Sequence, residues 1–183
     1  MVSGPSGAGK TSVVEGLARR FPFHFSVSMT TRPPRPGEVD GEDYTFVDRE
    51  RFEDAIAAGE LVEWAAYSGH LYGTPRAEVD RHLAEGHDVL LDIEMVGSRL
   101  VHEAYPEAVM VYILPPSLEV LEARLRGRGD TADVAARLAV ARSQIEEAEG
   151  LFDYFVVNDD LDTAIATVAG ILRALPPPLD TSP

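Results

Sequence analysis

The stretch Gly4-Pro5-Ser6-Gly7-Ala8-Gly9-Lys10-Thr11, followed by Ser12, constrains this chain more than any other. It fits G-x-x-x-x-G-K-[ST], the spacing of a phosphate-cradling P-loop. Gly4 and Gly9 permit a sharp turn and a close approach of backbone to an anion. The N–H groups between them converge as an anion nest, and a helix starting near Lys10 adds the positive end of its dipole. Lys10 can reach the β- and γ-phosphates of a nucleoside triphosphate, and the Thr11 hydroxyl is a ligand type for Mg²⁺. Such a loop normally follows a buried strand. Only Met1, Val2 and Ser3 precede it, so either the first strand is clipped or the true start lies upstream, and a missing upstream piece is expected.

Charge narrows what the loop can serve. The 183 residues carry a formal charge of −15, which repels nucleic acid and anionic membranes. Any nucleotide must therefore be held by locally concentrated Arg and Lys. The absence of cysteine excludes disulfides, thiolate metal sites and thiol catalysis. No apolar run approaches the roughly 20 residues of a membrane span, and the N-terminus lacks a basic-then-apolar signal segment. A soluble cytoplasmic protein is expected. The five histidines, His24, His70, His82, His87 and His102, show no ligand spacing and read as structural or surface groups.

Along the chain, helical and extended patterns alternate. Thr11 to Arg20 reads as an amphipathic helix and Phe23 to Ser28 as a strand. Pro33, Pro34 and Pro36 then forbid a helix and stiffen a loop that displays Arg32 and Arg35. Asp40-Gly41 is a turn signal, Arg49 to Ala58 a helix closed by Gly59, and Leu61 to Ala66 a strand. Ser68 to Gly73 makes a hairpin, so residues 30–74 form a small β-rich insertion. Thr74 is a plausible N-cap with Pro75 at the first helical position. The apolar run Val89 to Ile93 suits a strand buried on both faces. Helices at about 95–104, 118–125, 134–148 and 162–174 then alternate with strands Val109 to Leu114 and Tyr154 to Asn158. Residues 176–183 are proline-rich and expected to be disordered. Such alternation implies an α/β fold, a parallel sheet flanked by helices.

Seven stretches now stand in one order: G-P-S-G-A-G-K-T, S-V-S-M-T-T-R-P-P-R-P-G-E-V-D-G-E-D-Y, E-W, S-G-H-L-Y-G-T, L-L-D-I-E, R-L-R-G-R-G and V-N-D. Together they resemble the guanylate kinase family across about residues 3 to 175. The resemblance implies a P-loop core (residues 1–29 and 75–175), a GMP-binding insertion at 30–74 and a mobile lid at about 126–137. It implies transfer of the γ-phosphoryl of ATP to GMP, with Mg²⁺ and with dGMP as a further acceptor, by a monomer or weak homodimer. By motif position, Ser28, Glu63 and Glu94 correspond to the guanine readers, with Thr74 near the base. Arg32, Arg35, Tyr44 and Tyr72 correspond to the clamp on the GMP phosphate. Asp92 takes the place of the acid near Mg²⁺, Arg128 and Arg137 resemble the lid arginines, and Asn158 falls on the adenine side. Val96 departs from the pattern, standing where relatives usually carry Gln.

The chemistry asks for these residue types. Guanine offers O6 as acceptor and N1–H and N2–H₂ as donors, so a carboxylate such as Glu63 and a hydroxyl such as Ser28 match it. Adenine would leave a buried carboxylate unpaired, a mismatch worth roughly 10⁴–10⁵ in discrimination. A phosphate dianion is already a competent nucleophile and needs no general base. Its difficulty is repulsion, which Arg32 and Arg35 can offset with charge-assisted bonds. Lys10, Arg128 and Arg137 would stabilise transition-state charge. Asp92 ends an apolar strand, where a charge is costly unless it meets a metal or caps a helix. Two competing readings are a non-catalytic phosphopeptide-binding module of the same family and a kinase of phosphorylated sugars, which would not need Glu63.

Overall fold

The computed structural model describes residues 1–67, 69–127 and 133–174. Its strands are short: β1 (Val2–Ser3), β2 (His24–Phe25), β3 (Met29–Thr30), β4 (Thr45–Phe46), β5 (Leu61–Tyr67), β6 (His70–Pro75), β7 (Val89–Leu90), β8 (Val111–Leu114) and β9 (Tyr154–Val157). The helices are α1 (Lys10–Ala18), α2 (Arg49–Ala57), α3 (Arg76–Ala84), α4 (Met95–Ala104), α5 (Leu118–Gly127), α6 (Val134–Ala148) and α7 (Leu161–Ala174). The chain divides into two compact units, described in turn.

The first unit comprises Met1–Pro22, Asp92–Met95 and the chain from Val109 onward. Its sheet runs β1-β8-β9, all parallel, with Val2 opposite Val111 and Val111 opposite Tyr154. Asp92 adds a bridge to Val2. The central strand β8 is apolar throughout, and Val111, Tyr112 and Ile113 are buried, as a doubly covered parallel strand requires. Helix α1 buries Val13, Val14, Gly16 and Leu17. Gly16 admits α7 so closely that a Cβ there would lie 2.2 Å from Ile165 Cδ1. Helices α5 and α6 close a second patch through Leu121, Leu125, Val134 and Ala141.

The second unit comprises Phe23–Leu91 and Val96–Ala108. It holds the parallel pair β2-β7 and a four-stranded mixed sheet, β4-β3-β6-β5. Helix α2 packs Phe52 and Ala55 onto Met29, Leu61 and Leu71 of that sheet. Asp48 caps α2 by accepting from the Arg51 N–H, satisfying one orphan donor of the first turn.

Three local expectations are corrected. The strand expected over Phe23 to Ser28 pairs only at His24–Phe25, and the next strand, β3, begins at Met29 in another sheet. The Val27 N–H goes to the Glu78 carboxylate at 3.0 Å instead of a ladder partner, which breaks the run between β2 and β3. The strand expected over Val89 to Ile93 pairs as a ladder only at Val89–Leu90. Thr74 does not cap α3. It belongs to β6, Pro75 occupies the cap position without a side-chain bond, and the helix starts at Arg76.

Candidate active site

Backbone geometry builds the candidate site of the first unit. Gly9 sits at the N-cap of α1 with φ 92°, a left-handed conformation suited to glycine. A Cβ there would also lie 2.2 Å from Asn158 Nδ2, and one at Gly4 2.5 Å from the Ile113 carbonyl oxygen. The loop is fastened from behind. The Ala8 carbonyl accepts from Asn158 Nδ2 at 2.8 Å and from Arg124 Nη1 at 3.3 Å, while Arg124 Nη2 donates to the Asn158 carbonyl at 2.9 Å. Asn158, expected on the adenine side, thus braces the loop. Arg124 was not foreseen; it lies four residues before Arg128 in R-L-R-G-R-G, and that spacing was the available signal.

Lys10 opens α1 and sends its ammonium to Asp92 Oδ1 at 2.7 Å, Glu94 Oε1 at 3.2 Å and the Ile93 carbonyl at 3.4 Å. Burial pushes its pKa down, but Asp92 and then Glu94 outweigh burial and hold it above the ordinary lysine value. Glu94, expected among the base readers, is therefore found against Lys10. Arg137 in α6 donates from Nη2 to the Ser6 hydroxyl at 2.8 Å, which brings it to the loop. Arg128 lies outside the described residues. Thr11 and Asp92 offer only hydroxyl and carboxylate oxygens, the donor set that a hard cation such as Mg²⁺ takes.

Side chains build the candidate site of the second unit. In the β5–β6 ladder Glu63 stands opposite Thr74, so their side chains share one face. Both are buried, and the Thr74 hydroxyl donates to Glu63 Oε1 at 2.7 Å. Tyr72, two residues before Thr74, projects to that same face by the period of two. Its ring meets Tyr44 edge-on at 6.1 Å. Arg32 follows β3 and is buried, with its guanidinium 5.3 Å from the Tyr44 ring centre and 5.6 Å from that of Phe46. Glu38 grips it with two bonds, to Nη1 at 2.9 Å and Nη2 at 2.8 Å. Glu38 also accepts from the Arg35 N–H at 2.6 Å, so the proline-stiffened loop is tied into a ring with the Arg35 side chain exposed. The Arg32 bonds, then the Arg35 N–H, hold the Glu38 carboxyl below the usual carboxylate range. Glu38 was not singled out by sequence reasoning, since nothing in its spacing from Arg32 specifies a partner. Ser28 is half-buried between β2 and β3, and its carbonyl accepts from the Thr45 N–H at 2.9 Å.

A family model described as guanylate kinase matches residues 1–175. A guanylate kinase from Symbiobacterium thermophilum is 50% identical over 178 residues, covering 95% of this chain and 83% of that protein. One from Thermus thermophilus is 50% identical over 176 residues, covering 95% and 80%. The crystal structure of guanylate kinase from Anaplasma phagocytophilum matches with a TM-score of 0.72 at 36% identity, over 94% of this chain and 82% of that one.

Proposed function

The chain belongs to the guanylate kinase family, and from that premise we propose that it transfers the γ-phosphoryl group of ATP to GMP, and to dGMP, releasing ADP and GDP. A phosphate oxygen of the acceptor forms the new bond to the γ-phosphorus. The bond from that phosphorus to the β–γ bridging oxygen breaks, and the electron pair leaves on ADP. The buried Glu63–Thr74 pair carries the reading. One Glu63 oxygen accepts the Thr74 hydroxyl hydrogen bond, which orients the carboxylate to accept from guanine N1–H and N2–H₂. Ser28 donates to O6.

Residues 30–74 serve the acceptor, and 1–29 with 75–175 serve the donor. Tyr44, Tyr72 and Arg35 join Arg32 in gripping the acceptor phosphate, with Glu38 orienting Arg32. The P-loop amides of residues 4–12 hold the triphosphate, with Asn158 on the adenine side. Lys10 leaves its carboxylates for the β- and γ-phosphates, and Arg137 and Arg128 close on the same charge. Thr11 and Asp92 would hold Mg²⁺, which when bound neutralises phosphate charge and orients the γ-phosphoryl group. We place the protein in the cytoplasm, without nucleic-acid partners, as a monomer or weak homodimer. No helix among the described residues is long and apolar enough to cross a membrane.

A coupled ADP-release assay with GMP, dGMP, AMP, UMP and CMP tests the proposal. Turnover is expected with the two guanine nucleotides and at background with the others. Equal rates on all five overturn the specificity, and binding of nucleotide without turnover favours an interaction module. A sugar kinase is tested by Glu63→Ala, which would then leave activity untouched.

A further inference from the structure

Three of the histidines read as structural or surface groups, His24, His82 and His87, are gathered at the ends of α3 and β2, and one turn brings His87 to His82. Helix α3 ends with the Gly86 N–H bonded to the Leu83 carbonyl at 3.0 Å and the His87 N–H to the His82 carbonyl at 2.9 Å. That is a Schellman ending with glycine at the left-handed position, φ 77°. Such an ending lays the second residue past the cap against the residue three before it, usually as an apolar contact. Here those two positions hold His87 and His82, and Glu85 is the cap residue between them. The spacing H-x-x-E-x-H becomes a cluster only because the chain reverses at Gly86.

The three facing atoms are His82 Nδ1, His87 Nδ1 and Glu85 Oε2. Their separations are 3.2 Å between the two nitrogens, 3.6 Å from His82 to Glu85 and 3.4 Å from His87 to Glu85. Ligands bonded at about 2.1 Å in tetrahedral geometry lie about 3.4 Å apart. The triangle is therefore already of coordination size. We propose that His82, Glu85 and His87 form a binding site for a divalent transition ion, zinc by ligand type and geometry, with the fourth position open to water. Two imidazoles and one carboxylate are a donor set that such ions take, whereas Mg²⁺ and Ca²⁺ prefer oxygen alone.

The surroundings favour that trio over the neighbouring one. His24 stacks on the His82 ring with centres 3.3 Å apart and planes within 19°, which fixes the ring's orientation. His24 Nε2 itself is only 2.7 Å from Glu78 Oε1, a hydrogen-bond contact that leaves no coordination gap, and that oxygen also accepts from the Val27 N–H. Arg81 is the competitor. Its Nη2 lies 2.7 Å from His82 Nε2, and Nη1 approaches Glu85 at 3.4 Å. A metal on Nδ1 puts the remaining imidazole proton on Nε2, so Arg81 must swing away. Its side chain is 56% exposed, so water can receive it.

The test is calorimetric titration of the metal-free full chain with a zinc salt, run in excess Mg²⁺ to occupy oxygen-only sites. Cobalt absorption spectra report the coordination number. The parent is expected to bind one ion with four-coordinate cobalt bands. His82→Ala and His87→Ala should each weaken binding at least about 10-fold, and Arg81→Ala should strengthen it. Gly86→Ala keeps all three ligands but strains the turn, so it should weaken binding too. Absence of zinc binding in excess Mg²⁺, or an unchanged affinity in the His82→Ala, His87→Ala double variant, overturns the proposal. His87 is 54% exposed, so its loss leaves the fold testable by circular dichroism.

Discussion

The P-loop and the Arg32 region are both proposed to meet phosphate, and they are built in opposite ways. At the P-loop the groups offered are backbone amides shaped by glycine, and its lysine, Lys10, rests on two partly exposed carboxylates, Asp92 and Glu94. Around Arg32 the groups are side chains, and the cation is held rigidly by a two-pronged bond to Glu38 and by two aromatic rings. An ammonium on a flexible stem moves to whatever charge arrives. A planar guanidinium, once forked onto a carboxylate, is presented at a fixed angle. The difference suits the two tasks proposed for them: following a γ-phosphoryl group through its transfer, and holding an acceptor still.

The largest test of that division lies at the base. Glu63→Ala should collapse a preference for GMP over AMP of about 10⁴ toward unity, measured as the ratio of kcat/KM values. Next, Lys10→Ala should lower kcat about 10²–10³-fold, as loss of a transition-state donor does, with little change in KM for GMP. A large rise in that KM with kcat intact would erase the contrast between following and holding. Gly9→Ala should cost about 1–3 kcal/mol in chemical denaturation through its backbone angle alone, and more from displacing Asn158. Thr74→Val should cost about 1–3 kcal/mol by leaving Glu63 short of a donor, and should raise KM for GMP while sparing KM for ATP.

The smallest effect is a pH dependence. The Glu38 pKa is lowered in the folded state, so the stability it contributes is complete above its unfolded pKa. That contribution fades as pH falls through the folded value. Carbon-detected titration of Glu38 should show a midpoint below that of an unperturbed glutamate, and Arg32→Ala should raise it part of the way back, the Arg35 N–H still lowering it. A midpoint already normal in the parent would mean that Arg32 is not held in advance.

The two regions also differ in how readable they were. A site made of backbone is written as glycine spacing, so Gly4, Gly9 and Lys10 could be read directly. A site made of side chains depends on register. That Glu63 faces Thr74 follows from the β5–β6 pairing, which includes an irregularity between Leu61 and Glu63 that no alternation pattern reveals. Thr74 therefore looked like a helix cap. Glu38 was unreadable as the holder of Arg32 for a related reason: a proline-bounded loop can fold back at many lengths. His82 and His87 hid behind a left-handed glycine that changes their separation without changing their spacing.

Because Asn158 and Arg124 both draw on the oxygen of Ala8, that lone-pair-bearing atom is turned to the rear. A guest at the loop's mouth is spared its repulsion, so the two residues help the enzyme by what they hide.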